Sequence, residues 1–292
     1  MIQKRKIFFD SSFSKANFEL INLDNQIFLK KKIKRPTIRD FESIKKNNLF
    51  NKYIKIKNLR SINIDIDSFK DLKRKKCYVM KFINGTSGES ILKNLGYSEI
   101  TLIKNFLKDY FSVMKIHIRW VKFDKSIFIK KFNEIEKKTK IKTLKNIFKK
   151  NKKKLLNKLI KIKFYPTGLC HGDLTLSNMI INKNQIYLID FLKTHNDSII
   201  QDLSKVYQEF KLGWSSRNLN DHDYLRSKII YNKIVDKNFF KIFPKKILNL
   251  LKFEIILTLL RIFPYVNNKD QKTVNWLKFS VEELINKDIK LN

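Results

Sequence analysis

Residues 170–181 read CHGDLTLSNMII, and residues 186–191 read IYLIDF. The first stretch places a carboxylate, Asp173, five residues before an amide, Asn178, and an apolar run follows. The second stretch is another apolar run that ends in Asp190 and Phe191. Two short apolar runs with polar residues between them predict a β-hairpin. Such a hairpin would return Asp190 to the neighbourhood of Asp173 and Asn178.

These three side chains suit one kind of chemistry. Phosphoryl transfer asks a protein mainly for positioning and for charge neutralisation. A carboxylate must meet the attacking hydroxyl, which is the role we expect for Asp173. An oxygen of Asn178 and the carboxylate of Asp190 fit Mg²⁺, which prefers oxygen ligands. We place His171 beside Asp173 in the catalytic set, and we favour bracing of the loop over proton transfer as its role.

An isolated His-Gly-Asp carries little information, but the ordered set is distinctive. With PTGLC before it and QDLSKVYQEF after it, the stretch over residues 166–214 resembles the aminoglycoside phosphotransferase and choline kinase superfamily. The loop of that superfamily reads H-G-D-x-x-x-x-N before a later I-D-[FW]. The Thr-Leu-Ser-Asn variant more closely resembles uncharacterised phosphotransferases of bacterial surface-polysaccharide loci. In kinase-like folds an acid placed like Asp202, near a helix start, ties down the backbone of the catalytic loop.

The resemblance implies an α+β, two-lobed, protein-kinase-like fold. We expect a nucleotide-binding lobe over residues 1–82, built from a small antiparallel β-sheet and one helix. Residues 83–292 would form a larger, mostly helical lobe that carries the catalytic loop and binds the acceptor. The sequence agrees, because short β-branched and aromatic runs dominate the first third and periodic apolar residues dominate the rest.

The predicted strands of the first third are Lys6–Phe9, Asn17–Ile21, Gln26–Lys30, Ser61–Ile66 and Cys77–Phe82. Thr37 begins a predicted helix that runs to about Asn47, and Ser98 caps a long helix of the second lobe. The basic segment Lys125–Lys163 is predicted to be helical. The apolar segment Ile247–Phe263 carries three charged residues, and we interpret it as a buried amphipathic helix rather than a membrane span.

The nucleotide site implied by the resemblance needs a lysine on the third strand. The three consecutive lysines Lys30–Lys32 compete for this role, and alternate residues point to opposite faces of a strand. We favour Lys31, because it shares a face with two apolar residues. Glu42, on the following helix, would be its ion-pair partner, and a solvated Glu is an equal alternative. Met80 and Phe82 lie in a run that resembles the hinge that contacts adenine.

The loop that covers the phosphates departs from the glycine-rich pattern. No glycine precedes Gly85, so a G-x-G-x-x-G loop is absent. Ser12 and Ser14 are the candidates for contacting the phosphates, with a plain polar turn as the alternative. Gly172 stands where protein kinases have Arg, so we do not expect control through a phosphorylated activation loop.

The formal charge is +36, from 63 Lys and Arg against 27 Asp and Glu, and only nine of the basic residues are Arg. The Lys-rich segment 137–163 has no Arg and few aromatic residues, which argues against a nucleic-acid partner. The charge leaves peripheral contact with an anionic membrane surface open. Two cysteines and no recognisable signal peptide favour a reducing, cytoplasmic location.

We therefore expect an ATP-dependent phosphotransferase that uses Mg²⁺ and transfers the γ-phosphate to a hydroxyl. The acceptor would be a small molecule, and we favour a sugar or cell-surface glycan precursor over a cationic amine. Leu192 and Lys193 follow the Asp-Phe pair where many small-molecule kinases place an acid that could receive an amine. The alternative is a kinase-like scaffold that binds nucleotide or a partner without turnover.

Overall fold

The computed structural model of the chain describes residues 4–7, 17–23, 26–60, 62–66, 68–90, 92, 96–194 and 196–286. Its strands are β1 Lys4–Ile7, β2 Asn17–Leu23, β3 Gln26–Lys32, β4 Leu59–Arg60, β5 Cys77–Lys81, β6 Thr86–Ser87, β7 Arg119–Lys122, β8 Phe164–Thr167, β9 Met179–Asn182 and β10 Gln185–Leu188. Its helices are α1 Ile38–Tyr53, α2 Phe69–Lys75, α3 Tyr97–Ile116, α4 Lys125–Lys138, α5 Lys142–Ile160, α6 Ile199–Phe210, α7 Asp221–Ile234, α8 Lys245–Leu260 and α9 Gln271–Asn286.

The N-terminal sheet is antiparallel, with the strand order β1-β2-β3-β5. It contains four of the predicted strands, although the end of the first prediction lies outside the described residues. Across β3 and β5, Leu29 pairs with Met80 and Lys31 pairs with Tyr78. The short helix α2 accompanies α1, where the sequence predicted one helix. The lobe encloses a small apolar core of Ile44, Ile62, Ile64, Ile66, Leu72, Tyr78 and Met80.

The segment Ser61–Ile66 does not form the predicted strand. Its first residue lies outside the described residues, and the rest forms a single bridge to β5, at Ile64. Amide side chains of α1 take the backbone groups that a strand ladder would use. Asn48 accepts from the N–H of Ile64 at 3.1 Å and donates to its carbonyl at 2.8 Å. Asn51 donates to the carbonyl of Ile62 at 3.0 Å. The alternating isoleucines of this segment are therefore buried, but the segment does not form the hydrogen-bond ladder of a strand.

Helix α1 connects the two lobes. Thr37 caps it as predicted, and the Asp40 carboxylate accepts from the N–H of Thr37 at 2.7 Å, which completes a capping box. The helix continues past the predicted end at Asn47, because Phe50 is buried in the core of the larger lobe. β4 then pairs in parallel with β10 of that lobe. The lobe boundary at residue 82 stays a prediction, and the end of α1 already packs into the larger core.

The C-terminal lobe packs its helices around one large core. α3 buries the predicted apolar face, but its N-cap is Gly96 rather than Ser98. Ser98 lies inside the first turn, where its hydroxyl donates to Glu99 at 2.7 Å. The predicted apolar segment Ile247–Phe263 coincides with α8, most of which is buried. Within the described parts of the chain, the structure has no helix with the length and apolarity that a membrane crossing requires.

The hairpin predicted from the two apolar runs is present as β9 and β10, paired antiparallel. β4 and β6 extend it into a sheet of order β4-β10-β9-β6. Leu188 and Met179 anchor the hairpin in the large core. Asp190 lies two residues after the end of β10, so the position of the hairpin in the sheet determines the position of this residue.

Asn48→Ala should weaken the attachment of residues 62–66 to α1. The change removes both hydrogen bonds to Ile64 in part-buried surroundings, so we expect the free energy of unfolding to fall by about 1–3 kcal/mol. Urea denaturation measures it. Asn157→Ala, on an exposed position of α5, is the control and should change this free energy by less than about 0.5 kcal/mol. Equal effects of the two substitutions would contradict the structural role of Asn48.

Candidate active site

His171 lies at the start of the catalytic loop and is fully buried. Its Nε2 donates to the carbonyl of Ile189 at 2.8 Å, and its Nδ1 accepts from the backbone N–H of Asp173 at 3.2 Å. Burial lowers the pKa of the imidazole, which keeps the ring neutral. The ring also packs on Phe191, with a centroid distance of 4.3 Å. Both nitrogens are engaged, which agrees with the bracing role favoured for His171, and its membership of the catalytic set stays a prediction.

Asp202 holds the loop from the interior of the larger lobe. It lies in the first turn of α6 and is completely buried. Its carboxylate accepts the backbone N–H groups of His171 and Gly172, both at 2.7 Å, and the hydroxyl of Tyr110. Burial raises the pKa of Asp202, and these donors oppose that shift. The predicted task of Asp202, tying down the loop backbone, matches this geometry.

Gly172 turns the chain where a side chain has no room. Its φ is +89°, in the region that favours glycine. A Cβ at this position would lie 2.2 Å from the carbonyl oxygen of Leu192, whose N–H donates to the carbonyl of His171 at 3.0 Å. The close approach of these two backbone segments therefore excludes the Arg that protein kinases carry here.

Asp173 is paired with a lysine that the sequence analysis missed. Nζ of Lys205, on α6, lies 2.9 Å from Oδ1 of Asp173, and Nδ2 of Asn178 donates to Oδ2 at 3.0 Å. Burial acts to raise the pKa of Asp173, but the charge and hydrogen bond of Lys205 outweigh it, and the pKa falls below its usual value. The carboxylate is therefore ionised and able to accept a hydroxyl hydrogen. Lys205 follows Asp202 by three residues on α6, so helical spacing places both on the same face. This spacing is the sequence feature that could have identified Lys205.

An ion pair between Lys31 and Asp190 joins the two lobes, with 2.6 Å between Nζ and Oδ1. Asp190 has a φ of +55°, which is uncommon for a residue with a side chain. The N–H of Ile189 donates to the carbonyl of Asn178 at 3.1 Å, which sets Asp190 beside Asn178. Burial acts to lower the pKa of Lys31, but Asp190 and Tyr78 outweigh it and raise the pKa. Lys31 is therefore a fully charged cation at the catalytic loop.

Strand register decides which of the consecutive lysines meets the loop. Lys31 pairs across the sheet with Tyr78, on the face that meets Asp190. Lys32 points to the opposite face and pairs with Glu19 at 2.5 Å. The structure thus brings Lys31 to the site, as the alternation predicted, and its contact with a nucleotide stays a prediction.

Glu42 is not the partner of Lys31, which corrects the predicted ion pair. The Glu42 side chain is exposed on α1 and forms no ion pair within the described residues. The adjacent face of α1 meets the larger lobe instead. There Arg39 donates to the carbonyl of Lys193 at 3.0 Å, and Ser43 accepts from the N–H of Lys193 at 2.8 Å. Successive helical residues differ by about 100°, so Glu42 projects away from the contact that Ser43 makes.

Lys46 is the buried charge of α1, with 4% of its side chain exposed. Its Nζ bonds the carboxylate of Asp197 at 2.8 Å, the carbonyl of Leu192 at 2.9 Å and Sγ of Cys170 at 3.2 Å. Burial acts to lower the pKa of Lys46, and its partners, including Asp197, reverse the shift and raise it. Lys46 therefore ties α1 to the segments on either side of the catalytic loop. No motif in the sequence marks Lys46, although its helical spacing places it on the buried face.

Met80 and Phe82 occupy the end of β5 and the start of the connection between the lobes. Met80 is buried in the small core, and the N–H of Phe82 donates to the carbonyl of Ile27 at 3.0 Å. The side chain of Met80 therefore packs into the core of the N-terminal lobe. Contact of adenine with Met80 or Phe82 stays a prediction. Ser12 and Ser14, the candidates for covering the phosphates, lie outside the described residues.

The donor set at the loop fits Mg²⁺ in the company of phosphate oxygens. Nδ2 of Asn178 is turned to Asp173, so its amide oxygen is available as a ligand. Lys31 engages one oxygen of Asp190 and leaves the other. The described residues contain no cluster of three or more His, Cys, Asp or Glu that could hold a metal alone. Mg²⁺ keeps water and substrate oxygens in its shell, so two protein ligands suffice for it.

A second group of polar and aromatic residues adjoins the loop. Glu209 of α6 is fully buried and accepts from the N–H of Leu176, in the loop, at 3.3 Å and from the N–H of Ser215 at 3.1 Å. Burial raises the pKa of Glu209 to about 7. Arg217 stacks on the ring of Trp214, 3.7 Å from its centroid. No short motif in the sequence marks this group, so it could not be predicted.

A surface cavity of about 380 Å³ lies between the end of α1 and β4, and it contains none of these groups. The candidate site is therefore identified by its converging charges rather than by an enclosed cavity.

A family model, the RIO domain, matches residues 51–211, which is more than half of the chain. The chain belongs to the RIO domain family. The match covers the catalytic loop, the hairpin and the first helix after it, while Lys31 lies outside it. No curated protein matches the sequence of this chain.

Solved structures with the same fold as this RIO domain protein include phosphotransferases. A thermostable mutant of aminoglycoside phosphotransferase APH(4)-Ia aligns with a TM-score of 0.61 and 10% identity, over 98% of this chain and 94% of that chain. A ternary complex of that mutant, in a form with one further Asp-to-Ala substitution, with ADP and hygromycin B aligns with a TM-score of 0.59 and 9% identity, over 98% of this chain and 94% of that chain. Glucosamine kinase aligns at 0.54 and 9%, over 97% of this chain and 74% of that chain. The two-lobed, protein-kinase-like fold is thereby confirmed, and the closer resemblance to phosphotransferases of surface-polysaccharide loci stays a prediction.

Lys46→Met should loosen α1 from the larger lobe. The substitution keeps the side-chain length and removes the buried cation of Asp197, which retains Lys193 at 2.9 Å as a more exposed partner, so we expect the free energy of unfolding to fall by about 1–3 kcal/mol. Urea denaturation measures the change. Lys45→Met, at an exposed position of the same helix, is the matched control. A loss in the control equal to that in Lys46→Met would show that α1 is not held by the buried pair.

Proposed function

We propose that the protein is an ATP-dependent phosphotransferase that uses Mg²⁺ and transfers the γ-phosphate to a hydroxyl of a small molecule. The observation that carries the proposal is the Lys31–Asp190 pair, which sets a cation of the small lobe against a carboxylate of the large lobe. Asn178 and Asp173 lie beside this pair on a braced loop. A cation for the phosphates, oxygen ligands for Mg²⁺ and a carboxylate for the acceptor are what phosphoryl transfer requires.

Each residue then has a defined task. Lys31 binds phosphate oxygens of the nucleotide, and Asn178 with Asp190 would hold the metal, which supplies charge neutralisation when bound. Asp173 accepts the hydrogen of the acceptor hydroxyl and orients its oxygen towards the phosphorus. Lys205 holds Asp173 in its ionised form. Asp202 and His171 keep the loop rigid, so the reacting groups need little reorganisation.

The acceptor side favours a sugar or a glycan precursor. Arg217 and Trp214 form a stacked pair on the loop side of the larger lobe, and Glu209 links that region to the N–H of Leu176. Arg217 covers one ring face of Trp214, so the guanidinium rather than that ring face would contact the hydroxyls of a sugar. Leu192 and Lys193 follow the Asp-Phe pair in place of an acid, and the lack of an acid there disfavours a cationic amine. A cytoplasmic location remains part of this proposal.

Asp190→Ala should abolish Mg²⁺-dependent nucleotide binding. The substitution removes a metal ligand and frees Lys31, so the phosphate charges lose the bridge that neutralises them. Calorimetry with Mg-ATP tests this, and we expect affinity to fall by at least about a hundredfold. Asp65→Ala, at an exposed position, is the control for lost negative charge. Undiminished affinity in folded Asp190→Ala would remove this residue from the metal role.

Asp173→Asn should separate binding from turnover. The substitution keeps the size of the side chain but cannot accept a proton, and a general base contributes a factor of about 10²–10⁴. Turnover should therefore fall by about two to four orders of magnitude, which corresponds to a loss of about 3–5 kcal/mol of transition-state stabilisation. Nucleotide affinity should stay near the wild-type value. Single-turnover assays with sugars, amino alcohols and aminoglycosides as acceptors measure the first, and calorimetry measures the second.

Three outcomes would contradict the role of Asp173 or the proposed activity. Lost nucleotide affinity in Asp173→Asn would make the residue a metal ligand or a structural brace. Wild-type turnover in the variant would place the acceptor elsewhere. Tight nucleotide binding without turnover on any acceptor would favour a kinase-like scaffold.

A further inference from the structure

The strands β7 and β8 form a separate two-stranded sheet on the larger lobe. In their register Trp120 pairs with Pro166, and Lys122 pairs with Phe164, so these four side chains share one face. Nζ of Lys246, from the first turn of α8, lies 3.7 Å from the ring centroid of Trp120 and 5.8 Å from that of Phe164. We call residues 115–125, 158–164 and 245–246 together the β7–β8 patch.

Positive charge is concentrated in the β7–β8 patch. Its only acid is Asp124, whose carboxylate accepts from the N–H of Ser126 to cap α4. Nine basic residues stand against that single acid, whereas the whole chain has 63 against 27. The nine are Lys115, Arg119, Lys122, Lys125, Lys158, Lys161, Lys163, Lys245 and Lys246. The patch therefore carries a strong net positive charge, as the Lys-rich segment 137–163 also does, and its exposed apolar side chains are a second feature.

Large apolar side chains are exposed among these charges. The exposed fractions are 80% for Ile116, 59% for Ile160, 51% for Phe164 and 36% for Trp120. Single exposed apolar residues are ordinary, but aromatic and aliphatic residues surrounded by lysines are typical of surfaces that lie in a membrane interface. Aromatic rings settle at the depth of lipid headgroups, and lysines extend their charged ends to the phosphates.

We propose that the β7–β8 patch binds an anionic phospholipid surface. Trp120 and Phe164 insert among the headgroups, and the surrounding lysines contact lipid phosphates. Charge complementarity selects an anionic surface. The exposed aliphatic residues Ile116 and Ile160 favour a bilayer over nucleic acid, because aliphatic side chains cannot form hydrogen bonds or ion pairs with phosphates or base edges. The proposal concerns a surface outside the catalytic residues and does not depend on the phosphotransferase activity.

Vesicle co-sedimentation tests the proposal with the full chain. Binding is measured on vesicles of phosphatidylcholine alone and of phosphatidylcholine with phosphatidylglycerol, at low and physiological salt. We expect binding only with phosphatidylglycerol, weakening as salt rises. Lys122→Glu, Lys163→Glu and Lys246→Glu together should lower the apparent affinity by at least about tenfold. All three positions are exposed, so the fold should persist, which circular dichroism checks.

The matched control is Lys149→Glu, Lys150→Glu and Lys153→Glu together. These residues are exposed on α5, and the net charge changes by the same amount. The control should keep most of the affinity for phosphatidylglycerol vesicles. An equal loss in both triple variants would reduce the interaction to a general effect of charge and would overturn the proposal.

Tryptophan fluorescence adds a readout of insertion. Emission of the wild type should shift to the blue on phosphatidylglycerol vesicles, and Trp120→Phe should remove that shift while the protein still sediments with them. A persistent shift in Trp120→Phe would place the contact elsewhere. Binding to a single-stranded oligonucleotide that the patch variant abolishes, without any vesicle binding, would overturn the proposal in favour of nucleic acid.

Discussion

The carboxylate of Asp202 accepts two backbone N–H groups of the catalytic loop and the hydroxyl of Tyr110 inside the larger lobe. A buried carboxylate is costly unless donors surround it, so this arrangement holds α3, α6 and the loop in one geometry. The turn at Gly172, with its close approach to Leu192, follows from that attachment. His171 then spans from the loop to Ile189, which positions the Asp-Phe segment.

Three lysine–carboxylate pairs complete the centre, and each one crosses between separate elements. Lys31 reaches Asp190 from β3, Lys205 reaches Asp173 from α6, and Lys46 reaches Asp197 from α1. The Lys46–Asp197 pair is buried and the other two are partly exposed, and such pairs add little net stability, because desolvation offsets their attraction. They do specify which groups meet, since an unpaired charge in the same place would be strongly unfavourable. Most lysines of this chain lie on its surface, and these three position the groups of the proposed catalytic centre.

Sequence patterns predicted what is local in this fold. The hairpin, the capped start of α1 and the buried face of α3 follow from alternation, from one capping threonine and from helical periodicity. The same patterns were wrong for Ser61–Ile66, where alternation resembles a strand. The amides of Asn48 and Asn51 compete for the backbone there, and nothing in the segment itself signals that competition.

The sequence by itself determined the proposed catalytic loop, because Asp173, Asn178 and Asp190 lie within one short turn and one hairpin. It also selected Lys31, because strand alternation assigns each of three lysines to a face. Only the tertiary structure decided the partners: Asp190 rather than Glu42 for Lys31, across 159 residues of chain, with Lys46 and Lys205 beside the loop. Periodicity states which face of a helix is buried. The rotation of α1 and α6 against the loop, which packing of the whole lobe sets, determines which charges face each other.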